Sequence, residues 1–415
     1  MTNPNSAPHP NPLPKGEREK KSFPQVALAD NKHFPLSPSG GEGSEAVPAG
    51  GEGEGEKRHL PKISRRQTRQ VNIGGVTVGC EAPVRIQSMC VTPTHDVDAT
   101  VDQIQKLTEA GCEIVRVACP KEEDARALGK IRSRIKIPLV ADIHFHYKLA
   151  LIALDEGVDK LRLNPGNIGA RDRIEEVVKK AKERKVPIRI GVNAGSLEKD
   201  LREKYGHPTP EALVESAKRH VSILEELDFH DIVISLKASD VPTMVAAYRL
   251  ASKTFDYPLH LGVTEAGTLL RGSVYNAIGV GTLLQEGIGD TIRISLTADP
   301  VEEVKVAKFI LESLGLRKGV RVVSCPSCGR AEVDVFKLAE EVEARAMKLK
   351  DPLTISVLGC VVNGPGEAHE SDFGITGGKD KGMIYIDGAQ HRVVDEHKLV
   401  DELFKDIESR NKKKE

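Results

Sequence analysis

Residues Thr291-Ile292-Arg293-Ile294-Ser295-Leu296-Thr297 alternate between polar and apolar side chains without a break. Side chains of a β-strand point alternately to its two faces, so the aliphatic residues share one face and Arg293 and Ser295 share the other. The same split recurs in five earlier stretches, and two further stretches of similar length are also predicted to be strands. The eight predicted strands are 84–89, 114–119, 138–144, 160–166, 188–194, 231–237, 259–265 and 291–297.

A stretch with helical periodicity follows each predicted strand. Eight strand–helix units over about 230 residues predict a closed (β/α)8 TIM barrel. An open doubly wound sheet is the alternative, but no glycine fingerprint for a dinucleotide follows a predicted strand. Before the barrel, residues 71–78 alternate around Gly74-Gly75 and predict a β-hairpin. The predicted helices are 98–110, 121–134, 147–157, 170–185, 209–227, 240–254, 269–286 and 300–315.

The polar faces of the predicted strands carry many cations. The apolar faces must meet the helices, so these cations would point into the barrel, with Asp142 as a counter-charge. Burying so many cations is costly unless anions compensate them, which predicts a small, multiply negative ligand such as a phosphate or diphosphate ester. Arg85 and Arg189, early in their strands, are predicted to be structural. The six cations are Arg85, Arg116, Arg162, Arg189, Lys237 and Arg293.

The carboxyl ends of the predicted strands would form the mouth where barrel enzymes carry out chemistry. Glu265, beside small residues, is the carboxylate predicted to deliver a proton; the alternative is a partner for a neighbouring arginine. Asp142 and His144 could bind a metal, although such a pair more often orients by hydrogen bonding. The predicted substrate-binding residues are Arg116, Asp142, His144, Arg162, Asn164, Asn167, Asn193, Lys237, Arg293 and Ser295.

Cys325, Cys328 and Cys360 are predicted to bind one metal centre. Thiolates favour zinc, copper(I) or iron–sulfur clusters, and three thiolates leave a position for a harder ligand. Glu367 is predicted to be that ligand, on a Gly364-Pro365-Gly366 loop expected to take a non-helical path. The incomplete thiolate set favours a cluster, and zinc bound by the cysteines and His369 is the alternative. Seven cysteines without a secretory leader do not suggest a disulfide framework.

Composition divides the chain into three predicted parts. Residues 1–58, rich in Pro, Gly, Ser and Glu, predict a disordered tail. Residues 59–317 would form the hairpin and barrel, and 318–415 a smaller α+β cluster domain. The 60 basic and 61 acidic side chains nearly balance, aromatic residues are few, and no apolar run approaches a membrane span, so neither nucleic acid nor a membrane is an expected partner. The predicted α+β elements are strand 320–324, helix 332–348, strand 353–358, strands near 372–376 and 382–387, and helix 396–410.

The link between barrel and α+β domain predicts a dimer. Each barrel helix returns to the face opposite the mouth, and the four residues 316–319 reach only about 14 Å, whereas the helix they would retrace spans roughly 24 Å. A chain's own cysteines therefore should not cap its own mouth. If both sites act together, they would meet in a head-to-tail homodimer.

Eight motifs occur in order over about residues 61–405. They are Gln87-Ser88-Met89, Ile114–Ala118, Ala141–Phe145, Asn164–Gly169, Ser235–Ser239, Thr264–Gly267, Cys325–Arg330 and Asn363–Glu367. Together they resemble the 4-hydroxy-3-methylbut-2-enyl diphosphate synthase family, of the bacterial type, and their order makes the resemblance specific.

The resemblance implies a 4Fe-4S cluster on Cys325, Cys328, Cys360 and Glu367, with Glu367 also catalytic by leaving the iron. It implies a cytoplasmic enzyme that uses flavodoxin or ferredoxin for the two-electron reductive ring opening and dehydroxylation of 2-C-methyl-D-erythritol 2,4-cyclodiphosphate in the non-mevalonate isoprenoid pathway. Glu265 would then manage the proton. The alternative function is a zinc-stabilised barrel that binds a phosphorylated metabolite as a lyase or sensor.

Overall fold

The structure, a computed structural model, describes residues 63–349, 351–360, 364–378 and 380–412. It confirms the predicted fold class, because eight parallel strands form a barrel and a separate five-stranded sheet follows. The predicted tail, residues 1–58, lies outside the described residues.

The strands of the hairpin and barrel agree with the predicted positions, although most are shorter. In the eight-stranded sheet the order is β8-β7-β6-β5-β4-β3-β10-β9, and a parallel bridge between Ile234 and Leu259 joins its two ends. The sheet is therefore closed. The strands are β1 (Val71–Ile73), β2 (Val76–Val78), β3 (Arg85–Met89), β4 (Ile114–Ala118), β5 (Leu139–Asp142), β6 (Lys160–Arg162), β7 (Ile188–Asn193), β8 (Ile232–Lys237), β9 (His260–Leu261) and β10 (Thr291–Ile292).

Capping residues in the sequence set where several barrel helices begin. The side chains of Asp96, Thr209 and Asp240 each accept a hydrogen bond from a backbone N–H in the first turn that follows. No described helix is both long enough and apolar enough to cross a membrane. The helices are α1 (Val97–Ala110), α2 (Glu122–Arg132), α3 (Tyr147–Asp155), α4 (Arg171–Arg184), α5 (Lys199–Tyr205), α6 (Pro210–Glu226), α7 (Val241–Thr254), α8 (Leu269–Gln285) and α9 (Pro300–Ser313).

The predicted hairpin closes the base of the barrel. β1 and β2 pair antiparallel, and Gly74 and Gly75 both have positive φ in the turn. Hairpin side chains pack against aliphatic residues of β4, β5 and β8, which share the lumen-facing parity of the predicted cations. Any ligand must therefore enter from the opposite end, at the carboxyl ends of the strands.

The last two barrel strands are much shorter than the predicted 259–265 and 291–297. Past Leu261 and Ile292 the ladder stops, and a helix side chain joins the two segments before a parallel bridge between Thr268 and Thr297. Asn276 of α8 accepts a hydrogen bond from the Val263 N–H at 3.3 Å and donates to the Ser295 carbonyl oxygen at 3.3 Å. Helix α5 is a further difference, since no element was predicted between β7 and α6.

The second sheet has the order β11-β12-β13-β14-β15, with its first three strands parallel and the last two antiparallel. Helices α10 and α12 cover it through apolar residues such as Val342 and Leu403. Strand β15 was not predicted. The elements are β11 (Val320–Ser324), α10 (Val335–Ala346), β12 (Leu353–Leu358), α11 (Gly364–His369), β13 (Phe373–Gly378), β14 (Lys381–Ile386), β15 (Ala389–Asp395) and α12 (Leu399–Lys412).

Helix α11 corrects one prediction. The expected non-helical path through residues 364–366 is wrong, because Gly364–His369 is a short helix. Proline is tolerated in a first turn, where its missing N–H has no intrahelical partner to lose. Ala368 is fully buried and packs with Leu358 and Tyr385, which anchors the helix on the sheet. Glu367 is therefore an exposed residue of a helix.

Candidate active site

The barrel lumen contains the predicted cluster of cations. Arg116, Arg162 and Lys237 are each at most 9% exposed, and Lys160 and Arg189 at most 1%. Two buried carboxylates, Asp142 and Glu303, accompany them. Since buried cations without matching anions are unfavourable, the lumen is electrostatically suited to a polyanion.

Asp142 is the centre of the predicted charge network. Its Oδ1 lies 3.0 Å from Arg162 Nη1 and 3.5 Å from His144 Nε2, and its Oδ2 lies 3.7 Å from Arg116 Nε. Burial by itself would raise the pKa of Asp142. The charge of Arg116, the hydrogen bond with His144 and the charge of Arg162 outweigh burial and hold that pKa well below its usual range. Asp142 is therefore an anion that orients two arginines.

Arg162 and Asn164 are both fixed on the neighbouring strand β7. Arg162 Nη2 donates to the Gly191 carbonyl oxygen at 2.9 Å. Asn164 accepts from the Gly191 N–H at 2.8 Å and donates to the same carbonyl at 3.1 Å. A Cβ at position 191 would lie 2.4 Å from Arg162 Nε, so glycine there lets the arginine cross the strand.

Lys237, at the end of β8, is a buried amine with no hydrogen bond or ion pair to any other described residue. Burial, followed by the charges of Arg293 and Arg116, places its pKa well below the ordinary value. Arg116 donates to Met89 Sδ at 2.8 Å, and burial lowers its pKa to about 10. Both groups therefore retain donors for an anionic ligand.

Glu303 is a functional candidate that sequence reasoning missed. It lies on α9, accepts from Arg293 Nη2 at 3.0 Å, and accepts from Ser88 Oγ at 3.2 Å. Arg293 also donates to Ser295 Oγ at 2.8 Å, so these two predicted substrate residues contact each other. The 3.6-residue period of α9 contains no sign that one of its carboxylates reaches between strands.

The predicted mouth residues lie in the loops above this cluster. Asn167 is exposed in a 3-10 turn that spans Pro165–Asn167, and Asn193 is half-buried at the end of β7. Glu265 lies four residues beyond β9, so the prediction that it ends the strand is wrong. It is exposed and has a φ of +55°, an unfavourable conformation for a residue with a side chain. Such outliers are concentrated at functional sites.

A lower layer of buried polar groups lies on the same lumen face. Lys160 Nζ donates to Gln87 Oε1 at 3.1 Å, and Arg189 Nη1 donates to Ser235 Oγ at 2.6 Å. His260 Nδ1 is 2.7 Å from Thr291 Oγ1. Within the described part of the chain, Arg189 Nε and Nη2 have no hydrogen-bond partner, and neither does His260 Nε2. Strand parity could have identified Lys160, which shares the face of Arg162.

Arg85 and Arg189, both predicted to be structural, differ in their surroundings. Arg85 Nη1 lies 2.8 Å from Glu113 Oε1, and Glu113 also pairs with Arg317. No carboxylate of the described residues lies within salt-bridge distance of Arg189, so the expected lower-layer ion pair does not form there. Arg317 also donates to the Val84 carbonyl oxygen, which places the link to the second sheet at the base of the barrel.

The three candidate metal-binding cysteines lie along one edge of the second sheet. Cys325 follows β11 directly, and Cys360 lies two residues beyond β12. The two strands are parallel, so their carboxyl ends meet at that edge. A Cβ at Gly359 would lie 3.6 Å from Cys325 Sγ, which brings the two loops together. The thiols of Cys325 and Cys360 are partly exposed, and that of Cys328 is exposed.

Arg330 links two of these thiols. Hydrogen bonds from its backbone and side chain lower the pKa of Cys328, and the hydrogen bond with Cys328, followed by the charges of Cys328 and Cys360, raises the pKa of Arg330. This environment favours the thiolate of Cys328, the form that binds metals. Among the described residues no three His, Cys, Asp or Glu side chains converge closely enough for a single metal ion. An iron–sulfur cluster has a different requirement, because each ligand binds a different iron atom.

Comparisons with known proteins cover both parts of the chain. A family model described as the GcpE TIM-barrel domain matches residues 68–308, and one described as the GcpE protein C-terminal domain matches residues 321–409. A protein of Geobacillus thermodenitrificans named 4-hydroxy-3-methylbut-2-en-1-yl diphosphate synthase (flavodoxin) is 59% identical over 347 residues, which cover 83% of this chain and 93% of that protein. A protein of Thermodesulfovibrio yellowstonii with the same name is 58% identical over 346 residues, covering 83% and 99%.

Among solved structures, the dihydropteroate synthase of Stenotrophomonas maltophilia matches 60% of this chain and 99% of its own, with a TM-score of 0.44 and 14% identity. A likeness this remote carries no inference about activity.

Proposed function

This chain belongs to the GcpE family, and from that membership we propose that it converts 2-C-methyl-D-erythritol 2,4-cyclodiphosphate to 4-hydroxy-3-methylbut-2-enyl diphosphate. The reaction is a two-electron reductive ring opening and dehydroxylation in the non-mevalonate isoprenoid pathway. The observation that carries the proposal is the buried, cation-rich lumen, whose charge complements a compact cyclic diphosphate.

The lumen residues bind and orient the diphosphate. Lys237 and Arg116 contribute donors that the described protein groups leave free, whereas Arg162 and Arg293 are already held in position by Asp142 and Glu303. Such preorganised donors stabilise charge without reorganisation during the reaction. Further contacts come from His144, Asn164, Asn167, Asn193 and Ser295.

Glu265 supplies the proton at the mouth. The residue is exposed in the loop that follows β9, at the mouth end of the barrel, and its backbone has an unfavourable positive φ. Neighbouring Ala266 and Gly267 are small, which lets a ligand approach the carboxylate.

A 4Fe-4S cluster would be held by Cys325, Cys328, Cys360 and Glu367. The soft sulfur donors fit a cluster, and the exposed carboxylate on α11 supplies the harder fourth ligand. Bound there, the cluster supplies the low-potential electrons that cleavage of a C–O bond requires. Flavodoxin, which the relatives' names include, is the proposed electron donor, with ferredoxin as the alternative.

We place the enzyme in the cytoplasm as a head-to-tail homodimer. The base-anchored link at Arg317 supports the argument that a chain's own cysteines cannot reach its own mouth. An apolar surface of α8 offers a contact for the second copy: Leu270, Val274 and Ile278, four residues apart, are 80%, 47% and 56% exposed. The relatives' names give no support to a zinc-stabilised lyase or sensor.

Anaerobic purification, iron and sulfide analysis, and turnover of the cyclic diphosphate with a chemical reductant and with reduced flavodoxin test the proposal. Glu265→Gln should retain iron and lose on the order of 10²-fold or more in turnover. Glu286→Gln, which removes an exposed carboxylate paired with Arg249, is the matched control and should leave turnover unchanged. Iron-loaded wild-type protein without turnover would refute the function, and colourless zinc-loaded protein would revive the alternative.

A further inference from the structure

His220 is a buried residue of α6 that none of the roles above uses. It is 3% exposed and lies behind the barrel wall, between the loop that follows β6 and the loop that follows β7. Both loops carry asparagines proposed to contact the substrate. A buried histidine in a helix is often only a packing residue, so its two ring nitrogens decide its role.

Each ring nitrogen contacts a different mouth loop. Nδ1 accepts a hydrogen bond from the Gly166 N–H at 3.2 Å. Nε2 lies 3.1 Å from Glu198 Oε1. Because a backbone N–H can only donate, Nδ1 must be the acceptor, and Nε2 therefore carries the proton that is donated to Glu198. One neutral tautomer satisfies both contacts.

Glu198 is held in place by hydrogen bonds besides the one from His220. Glu198 also accepts from Ser216 Oγ at 2.8 Å. Burial would raise its pKa, but hydrogen bonds from His220, a backbone N–H and Ser216 lower it to about 2. Glu198 is therefore a fixed anion at the end of the loop that begins at Asn193, and it is the residue from which α5 starts.

The Gly166 side determines the course of the other loop. Gly166 lies between Asn164, which is held on Gly191, and the exposed Asn167. A Cβ at position 166 would lie 2.9 Å from His220 Cε1, so the loop backbone lies directly against the imidazole. Among the described residues, His220 Nδ1 is the acceptor for this backbone N–H.

We propose that His220 is a positioning residue that holds the Gly166 loop against the loop already anchored at Glu198, so that Asn167 meets the anionic end of the substrate. The inference rests on the proposed function and adds to it a residue that touches neither substrate nor cofactor. Its contribution should appear in substrate binding, because it orders the loops before the ligand arrives.

Two conservative variants separate positioning from packing. Asparagine places a carboxamide near the Nδ1 position and can still accept from Gly166, whereas glutamine reaches only the Nε2 position and can still donate to Glu198. Each variant removes one hydrogen bond, and asparagine is the smaller replacement, so a role in packing alone would affect His220→Asn more than His220→Gln. We expect His220→Gln to raise KM for the cyclic diphosphate about 10-fold, the equivalent of one lost hydrogen bond, and His220→Asn to stay within about 3-fold of wild type. Iron content and kcat should change little in both.

Gly166→Ala perturbs the same contact with His220 in place, and a KM increase similar to that of His220→Gln is expected. If a His220 variant does not fold, Gly166→Ala still tests the contact between His220 and the Gly166 loop. Gly195→Ala is the control, since nothing lies within 4 Å of a Cβ built there. Equal KM values in wild type, His220→Gln and Gly166→Ala, with only the melting temperature lowered, would overturn the proposal.

The proposed function and this inference can fail separately. Wild-type turnover is measured first, and its absence refutes the function alone. Calorimetric titration with inorganic pyrophosphate then compares wild type, His220→Gln and His220→Asn without any chemistry. Weaker binding only in His220→Gln supports the positioning role, and identical binding in all three overturns it.

Discussion

The barrel lumen and the edge of the second sheet that carries Cys325, Cys328 and Cys360, here called the cysteine edge, differ in how far their side chains are buried and already held in position. In the lumen the charged groups are buried, and several are already held by Asp142, Glu303 and Gly191. At the cysteine edge the thiols are partly or fully exposed, and Glu367 is exposed on a helix of six residues. The lumen is preorganised within one chain, whereas the cysteine edge depends on what binds to it.

Because of this difference, the ligand of each region is inferred from a different property of its side chains. A buried cation that lacks a counter-ion is a thermodynamic cost, so its presence identifies the charge of the ligand. An exposed thiol costs little, so only its spacing and chemistry identify the metal. Substitutions should therefore separate the regions by which property changes: stability and affinity in the lumen, iron content at the cysteine edge.

The largest effect is expected from Cys325→Ser. It should abolish both iron binding and turnover, because one of three thiolates is lost, while the melting temperature of the barrel and pyrophosphate binding stay at wild-type values. Iron analysis, calorimetry and the turnover assay measure these properties. Cys80→Ser, which changes a partly exposed thiol beside the hairpin, is the control. Full iron content in Cys325→Ser would show that the cluster is not bound at the cysteine edge.

The double substitution Leu270→Glu with Ile278→Glu should abolish turnover and keep iron, because it charges the apolar surface of α8 and would separate the lumen from the cluster of the proposed second copy. Sedimentation velocity should show a dimer for wild type and a monomer for the variant. Phe309→Glu, on an exposed position of α9, is the control. A fully active monomer would show that one chain can bring its own two regions together.

Lys237→Met should lower turnover on the order of 10²-fold or more and leave the iron content unchanged. The same substitution should raise the melting temperature, because it removes an amine buried without a partner among the described residues. Thermal unfolding measures the expected rise in melting temperature, and steady-state kinetics measure the expected loss of turnover. Lys253→Met, at an exposed position of α7, should change neither quantity. A lower melting temperature in Lys237→Met would mean that the lysine has a stabilising partner.

Strand parity predicted much of the lumen because the strand faces differ in polarity: polar side chains point into the barrel and apolar side chains meet the helices, so the two types alternate along the chain. Arg116, Arg162 and Lys237 are on the expected face, and Lys160 could have been found by the same rule. Glu303 could not, because its carboxylate comes from a helix and reaches a strand residue only in three dimensions. The alternation also could not predict how short β9 and β10 are, since the side chain of Asn276 bonds the backbone of both segments just beyond the point where the ladder stops.

The cysteine edge was predicted by residue type and less well by conformation. Spacing selected Cys325, Cys328 and Cys360, but the glycines and proline before Glu367 suggested a loop where α11 begins. Local propensity was overridden there by tertiary packing of Ala368 against the sheet. His220 carried no sequence signal at all, since its role depends on two loops that meet only after folding.

Asp142→Asn tests the preorganisation of the lumen through its pH dependence. The folded state lowers the pKa of Asp142, so its stabilisation is fully present above the unfolded pKa of about 3.9 and is lost as the pH falls toward the folded value. Urea unfolding should show a deficit of about 3 kcal/mol for the variant from pH 5 to 8, with the difference narrowing below about pH 4. Asp98→Asn, an exposed residue paired with Arg134, should show no such deficit. A deficit that grows in acid would contradict the assigned charge.

The smallest effect on the reaction is expected from Arg85→Met, which asks whether position in a strand or the presence of a partner decides the role of a lumen arginine. Arg85 and Arg189 are both early in their strands, but only Arg85 has a carboxylate partner among the described residues. Arg85→Met should therefore lower the free energy of unfolding by about 1 kcal/mol, through loss of a partly exposed ion pair, and leave KM unchanged. Arg189→Met should instead raise KM about 10-fold and leave stability unchanged or improved, because its unpartnered donors are available to the ligand. Unfolding curves and KM measured on both variants decide the question, and equal KM values would show that strand position alone separates structural from ligand-binding arginines.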